Sequence, residues 1–70
     1  METKQQRAEA MYAFIVEQTK AGRTCYLSTP LRRTVIKEKH LPMIRVRGAA
    51  LEIQSGKNWL DYTFTKLEAI

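Results

Sequence analysis

Thr29-Pro30 constrains the fold of this chain more than any other pair of residues. A threonine at the N-cap accepts a backbone amide that the first turn of a helix leaves orphaned. A proline at the first helical position has its φ already set and no amide to lose. The pair therefore predicts a helix from Pro30 to about Lys39, ended before Leu41-Pro42 because a residue preceding proline is pushed out of the α region. Leu31, Val35 and Ile36 give that helix a narrow apolar stripe, and Arg32, Arg33, Lys37 and Lys39 fill the remaining arc, with His40 just beyond. Arg33 and Lys37 are like charges at i, i+4, and arginines near the N-terminal end oppose the helix dipole. Local rules are broken in this way at functional sites, or are tolerated on a solvated face.

The elements around this helix follow from spacing. Residues 3–21 read as an amphipathic helix: Ala8, Met11, Tyr12 and Ile15 recur at helical intervals, and Phe14 and Val16 widen the apolar face. Thr3 is its N-cap, with Gln6 completing a capping box, and Gly22 is its C′ residue. The breadth of this face suits a sheet on one side and leaves room for a second copy of the chain. Thr24 to Leu27 is a brief strand that carries Cys25, expected to be buried and structural. From Met43 to Arg47 the chain alternates, with Ile44 and Val46 inward and Arg45 and Arg47 outward. The apolar parity changes at Gly48, which calls for a tight turn or a bulge at Arg47-Gly48. Ser55-Gly56-Lys57-Asn58 makes a hairpin loop. A last strand runs from Trp59 to about Thr65, with Leu60, Tyr62 and Phe64 toward the core and Leu67 and Ile70 closing its edge.

The expected architecture is a single α+β domain over residues 1–70. It comprises an N-terminal amphipathic helix, a short strand, a short basic helix, then a two- or three-stranded antiparallel hairpin unit. This order resembles the general plan of a winged helix-turn-helix in architecture, less one of the usual three helices. At seventy residues the core is small, because a domain of this size buries only ~60% of the surface its unfolded chain exposes.

Charge points to a class of partner. Seven of the twelve cations but only one of the seven acids lie between Arg23 and Arg47, while the flanking segments are close to neutral. The formal net charge of +5 thus belongs to the middle third of the chain. A surplus so localised is the footprint of a polyanion or of an acidic protein surface. The expected function is nucleic-acid binding in a regulatory role, with duplex DNA ahead of RNA. Single-strand recognition uses exposed stacking aromatics, and only Tyr26 and Trp59 could supply them. The binding residues are then Thr29, Arg32, Arg33, Lys37, Arg45, Arg47 and Lys57. Thr29 and the first helical amides would sit on a phosphate, the arginines on phosphates or guanine edges, and Lys57 at a wing tip.

The second reading is a small inhibitor or adaptor. It would occupy an acidic surface of a larger nucleic-acid-handling complex, anchored by Trp59 and the broad face of the first helix. No phosphate loop, metal signature or nucleophile motif appears, so neither an enzyme nor a cofactor is expected. Cys25 and His40 are the only soft ligands, too few for a thiolate metal cage. METKQQRAEA has no apolar signal region and no apolar run approaches a membrane span, so the expected setting is cytoplasmic and away from membranes.

Overall fold

Thr3 caps the first helix as its sequence directs. Its Oγ1 accepts the Gln6 amide at 3.1 Å, and the Gln6 side chain accepts the Thr3 amide at 2.8 Å, a complete capping box. In the computed structural model, which describes residues 2–70, this helix is α1, Lys4–Lys20. It ends in a Schellman motif, in which the Arg23 amide donates to the Gln18 carbonyl and the Gly22 amide to that of Thr19. Its buried stripe is Ala8, Met11, Ile15 and Thr19, narrower than the sequence pattern suggests. Phe14 lies at the exposed margin and Val16 is half-buried.

The remaining elements are β1 (Cys25–Ser28), β2 (Arg33–Ile36), a 3-10 helix (Glu38–Met43), β3 (Ile44–Arg47), β4 (Ala50–Ser55), β5 (Asn58–Asp61) and β6 (Lys66–Ala69). They form two three-stranded antiparallel sheets, in the orders β2-β1-β6 and β3-β4-β5. The class is α+β: an N-terminal helix, short strands and a small helix that precedes the second sheet. Cys25, Leu27 and Ile36 from the first sheet meet Ile44, Leu51 and Ile53 from the second, and Ala8, Met11 and Ile15 from α1 pack into the same core. Cys25 is fully buried, and burial pushes its thiol pKa up.

The helix expected over Pro30 to Lys39 does not form. Thr29 Oγ1 does accept the amides of Leu31 and Arg32, at 3.3 and 3.0 Å, as an N-cap would. The Thr29 amide also donates to the Arg32 carbonyl at 2.8 Å, so the capped turn closes into a hairpin loop and the chain reverses. Thr34, Val35 and Ile36 are three consecutive β-branched residues, stiff at χ1 and suited to a pleated sheet. As a strand they pair with β1 in the register Cys25↔Ile36 to Ser28↔Arg33 and bury Ile36. Leu31, assigned by the helical pattern to the apolar stripe, is left 95% exposed at the hairpin tip. The small helix of this region is instead the 3-10 turn ahead of β3, with Pro42 inside it.

The second sheet follows the alternation closely. β3 and β4 are joined by the two-residue turn Gly48-Ala49, and β4 and β5 by Gly56-Lys57. Gly48 and Gly56 have φ of +60° and +61°, which suits glycine at the first central position of a type II′ turn. The strand expected from Trp59 to about Thr65 is shorter, for β5 stops at Asp61. The Asp61 carboxylate accepts both the amide and the hydroxyl of Thr63, which ends pairing and starts a turn over residues 62–65. Tyr62 stays in the core, but Phe64 is turned outward and 74% exposed. Buried Thr63 takes the inward position instead, with its Oγ1 accepting the Leu51 amide at 2.9 Å. The turn is pinned by Arg7, whose Nε and Nη2 donate to the carbonyls of Thr63 and Thr65. Leu67 packs at the edge of the core as expected, whereas Ile70 is exposed.

Candidate nucleic-acid interface

Arg33 and Arg45 sit on different sheets, so the basic stretch of the sequence divides in space. On the outer face of the first sheet, Arg33 lies with its guanidinium 3.9 Å from the Tyr26 ring, diagonally across the β1–β2 pairing. Lys66 shares that face and pairs with Glu68 at 3.0 Å. The hydrogen bond and charge of Lys66 hold the Glu68 carboxyl below its ordinary pKa, with a smaller contribution from Arg33. Arg32 is exposed at the tip of the same hairpin.

On the outer face of the second sheet, Arg45 spans β4. Its Nε donates to Glu52 at 2.9 Å, directly opposite in the register, and its guanidinium stacks 3.9 Å from Trp59 on β5. Arg47 lies two residues on and is exposed, opposite Ala50. Lys57 occupies the β4–β5 turn, at the far end of β4 from Arg47. Lys37 belongs to neither face. It stands between β2 and the 3-10 helix, where its amide donates to His40 Nδ1 at 2.9 Å.

The seven residues picked out by sequence thus fall in three places: Thr29, Arg32 and Arg33 on the first hairpin, Arg45, Arg47 and Lys57 on the second sheet, and Lys37 at the junction. Thr29 cannot help to seat a phosphate in the expected way, because its Oγ1 is engaged by the amides of Leu31 and Arg32 and those amides are themselves consumed. Lys37 has company that the helical pattern conceals. It lines a cleft of about 370 Å³ together with Arg23 and Lys39, between the end of α1 and the start of the 3-10 helix. Arg23 follows the glycine that ends α1, and Lys37 and Lys39 flank Glu38. Nothing in either spacing links the two segments before the chain is folded.

Among the described residues, ion pairs involve Lys4, Arg7, Arg45 and Lys66. Six of the seven cations between Arg23 and Arg47 therefore have no carboxylate within 4.0 Å, Arg45 being the exception. No group of three or more His, Cys, Asp or Glu among these residues is placed to hold a metal ion, and no helix is long and apolar enough to cross a membrane. Set against protein-family models, curated proteins and solved structures, the chain gave no match.

Proposed function

We propose that this protein is a small regulatory nucleic-acid-binding protein whose preferred ligand is duplex DNA, held through its phosphates. The observation that carries this reading is the unneutralised charge: among the described residues, Arg23, Arg32, Arg33, Lys37, Lys39 and Arg47 all lack an acidic partner. Cations left unpaired in a chain with seven acids favour an anionic ligand from outside. The two aromatics that lie against cations of the middle third favour a duplex over a single strand. Tyr26 and Trp59 each have a ring face covered by an arginine at 3.9 Å, which leaves less open ring for stacking bases.

The mode of docking differs from a recognition helix in a groove, because residues 30–39 form a hairpin and the start of a 3-10 turn. Of the winged-helix likeness, the hairpins remain as wings, with Arg32 at the tip of β1–β2 and Lys57 at the tip of β4–β5. The reading is of a binder without chemistry of its own. The single histidine, His40, spends Nδ1 on the Lys37 amide and so serves to hold a turn. A salt-titrated binding assay on duplex and single-stranded DNA tests the proposal. Six phosphates neutralised on a duplex imply a log–log slope of roughly −5. Undetectable duplex binding at low salt would end it.

A second reading, an adaptor on an acidic protein surface, is favoured by Leu31. This leucine is almost wholly exposed beside Arg32, and it borders a hollow of about 260 Å³ with Leu60 and Tyr62. An apolar residue followed by two unpaired cations is suited to anchor in a pocket rimmed by carboxylates. Affinity for such a partner would depend on Leu31 and respond weakly to salt. DNA binding would show the reverse.

A further inference from the structure

We infer that the cleft between the end of α1 and the 3-10 helix is a discrete site for an oligophosphate, formed by Arg23, Lys37 and Lys39. The three cations come from two segments distant in sequence and line one cavity of about 370 Å³, within the size range of small-ligand sites. Glu38 is the only acid among the lining residues, so the cleft carries a net charge of two. Glu38 forms no ion pair with Lys37 or Lys39, and none of the three cations has a carboxylate within 4.0 Å among the described residues.

Helix capping does not account for them. Cations gather at helix C-termini to satisfy free carbonyls and to complement the dipole. Here the carbonyls of Glu17, Gln18 and Thr19 already accept the amides of Ala21, Arg23 and Gly22. Arg23 is steadied from the side instead, its Nη1 donating to Gln18 Oε1 at 3.1 Å, which leaves the rest of its guanidinium free. On the opposite wall the Lys37 amide is locked to His40 Nδ1, which fixes the turn that carries Lys37 and Lys39. The Thr24 backbone is likewise tied to Ile70 in both directions, and Thr24 also lines the cleft.

The chemistry of the lining selects the ligand. Two lysines act as point charges with three donors each, and one arginine adds a planar fork. That set matches an anion carrying several charges on tetrahedral centres better than it matches a single planar carboxylate. The ligand class is a linked row of phosphates, met either as a free oligophosphate or as the phosphorylated end of a nucleic-acid strand. This inference does not rest on the nucleic-acid reading, since a free oligophosphate would occupy the cleft whether or not strands bind.

Calorimetric titration of the whole chain with inorganic tripolyphosphate tests it, with Lys37→Ala/Lys39→Ala, Arg23→Gln and Lys66→Ala alongside the parent. Circular dichroism checks that each variant is folded. The expected result is saturable 1:1 binding that weakens at least about tenfold in the double variant and in Arg23→Gln, and is unchanged in Lys66→Ala. Absence of saturable binding, or a loss in Lys66→Ala equal to that in the double variant, overturns the site in favour of diffuse charge. Competition by a short 5′-phosphorylated oligonucleotide and by its 5′-hydroxyl counterpart identifies the source. Stronger competition by the first assigns the cleft to strand ends, and equal competition assigns it to free oligophosphate. Tripolyphosphate binding without any duplex binding would leave the site standing and remove the nucleic-acid reading.

Discussion

The Lys4 ammonium lies 2.7 Å from Oδ2 of Asp61, and fastens the start of α1 to the end of β5. Burial pushes the Asp61 pKa up, but hydrogen bonds from Lys4 and from the Thr63 side chain and amide, with the Lys4 charge, outweigh it. They hold the carboxyl at about 2, against an ordinary 3.8. A depressed folded-state pKa contributes stability that is present above the unfolded value and is lost as pH falls through the folded one. Stability should therefore decline between about pH 4 and pH 2. Because the Asp61 side chain is 42% exposed, the effect is discounted for solvent screening to roughly 1 kcal/mol. Asp61→Asn should flatten this part of the pH profile in urea titrations. An unchanged acid limb in the variant would show that the pair does not drive it.

Thr63 supports the same corner from within. It is fully buried and its Oγ1 is the acceptor for the Leu51 amide in β4. Thr63→Val keeps the shape and removes that acceptor, leaving a buried N–H unsatisfied at a cost of about 1–3 kcal/mol. Thr63→Ser retains the hydroxyl and should cost less. The denaturant midpoint should fall in that order at constant m-value. Equal midpoints for the valine and serine variants would refute the role given to the hydroxyl.

Strand and helix beyond Pro30 make opposite demands on Leu31, while both bury Ile36. In the hairpin, Leu31 touches solvent and Ile36 is buried opposite Cys25. Leu31→Ser should then change stability by no more than about 0.5 kcal/mol, whereas Ile36→Ala should cost about 2–4 kcal/mol. A helix with Leu31 and Val35 on its inner stripe would make the leucine substitution expensive as well. Thermal melts of the two variants decide between the arrangements.

The fate of Thr29 shows how far the residues alone disclose this structure. Its capping chemistry is legible and its hydroxyl does hold two amides, but a cap specifies one turn and says nothing of the next. The course of the chain beyond that turn is set by pairing with β1, a contact no local pattern contains, although Thr34-Val35-Ile36 hints at it. The second sheet is more legible because β3 and β4 alternate over a two-residue glycine turn, so local and long-range demands agree. Phe64 departs from its alternation for a related reason. Asp61 and Thr63 bond locally and shift the chain by one position, which exchanges a phenylalanine for a threonine in the interior. For the candidate interface, the charge surplus is visible as a count. Its partition into two sheet faces and a cleft depends on which sheet each strand joins.

Glu52 offers the most direct test of how the second face works. Among the described residues, Arg45 is the one cation of the middle third held by a carboxylate, and Glu52 lies between it and Asp61 in the β3–β4–β5 register. If phosphates are the ligand, Glu52 both neutralises Arg45 and repels the strand that Arg47 would contact. Glu52→Gln should tighten duplex binding and steepen the salt slope by up to about one unit, because one more cation then takes part in counterion release. Arg47→Ala should make the slope shallower by a similar amount, and Arg45→Ala by less, since Arg45 is already paired. Stacking on Trp59 should keep Arg45 in place in the Glu52→Gln variant, a point that the fluorescence of this single tryptophan can report. Should Glu52→Gln leave the salt slope unaltered while Arg32→Ala/Arg33→Ala abolishes binding, the interface would be confined to the first hairpin and the second sheet would have no part in it.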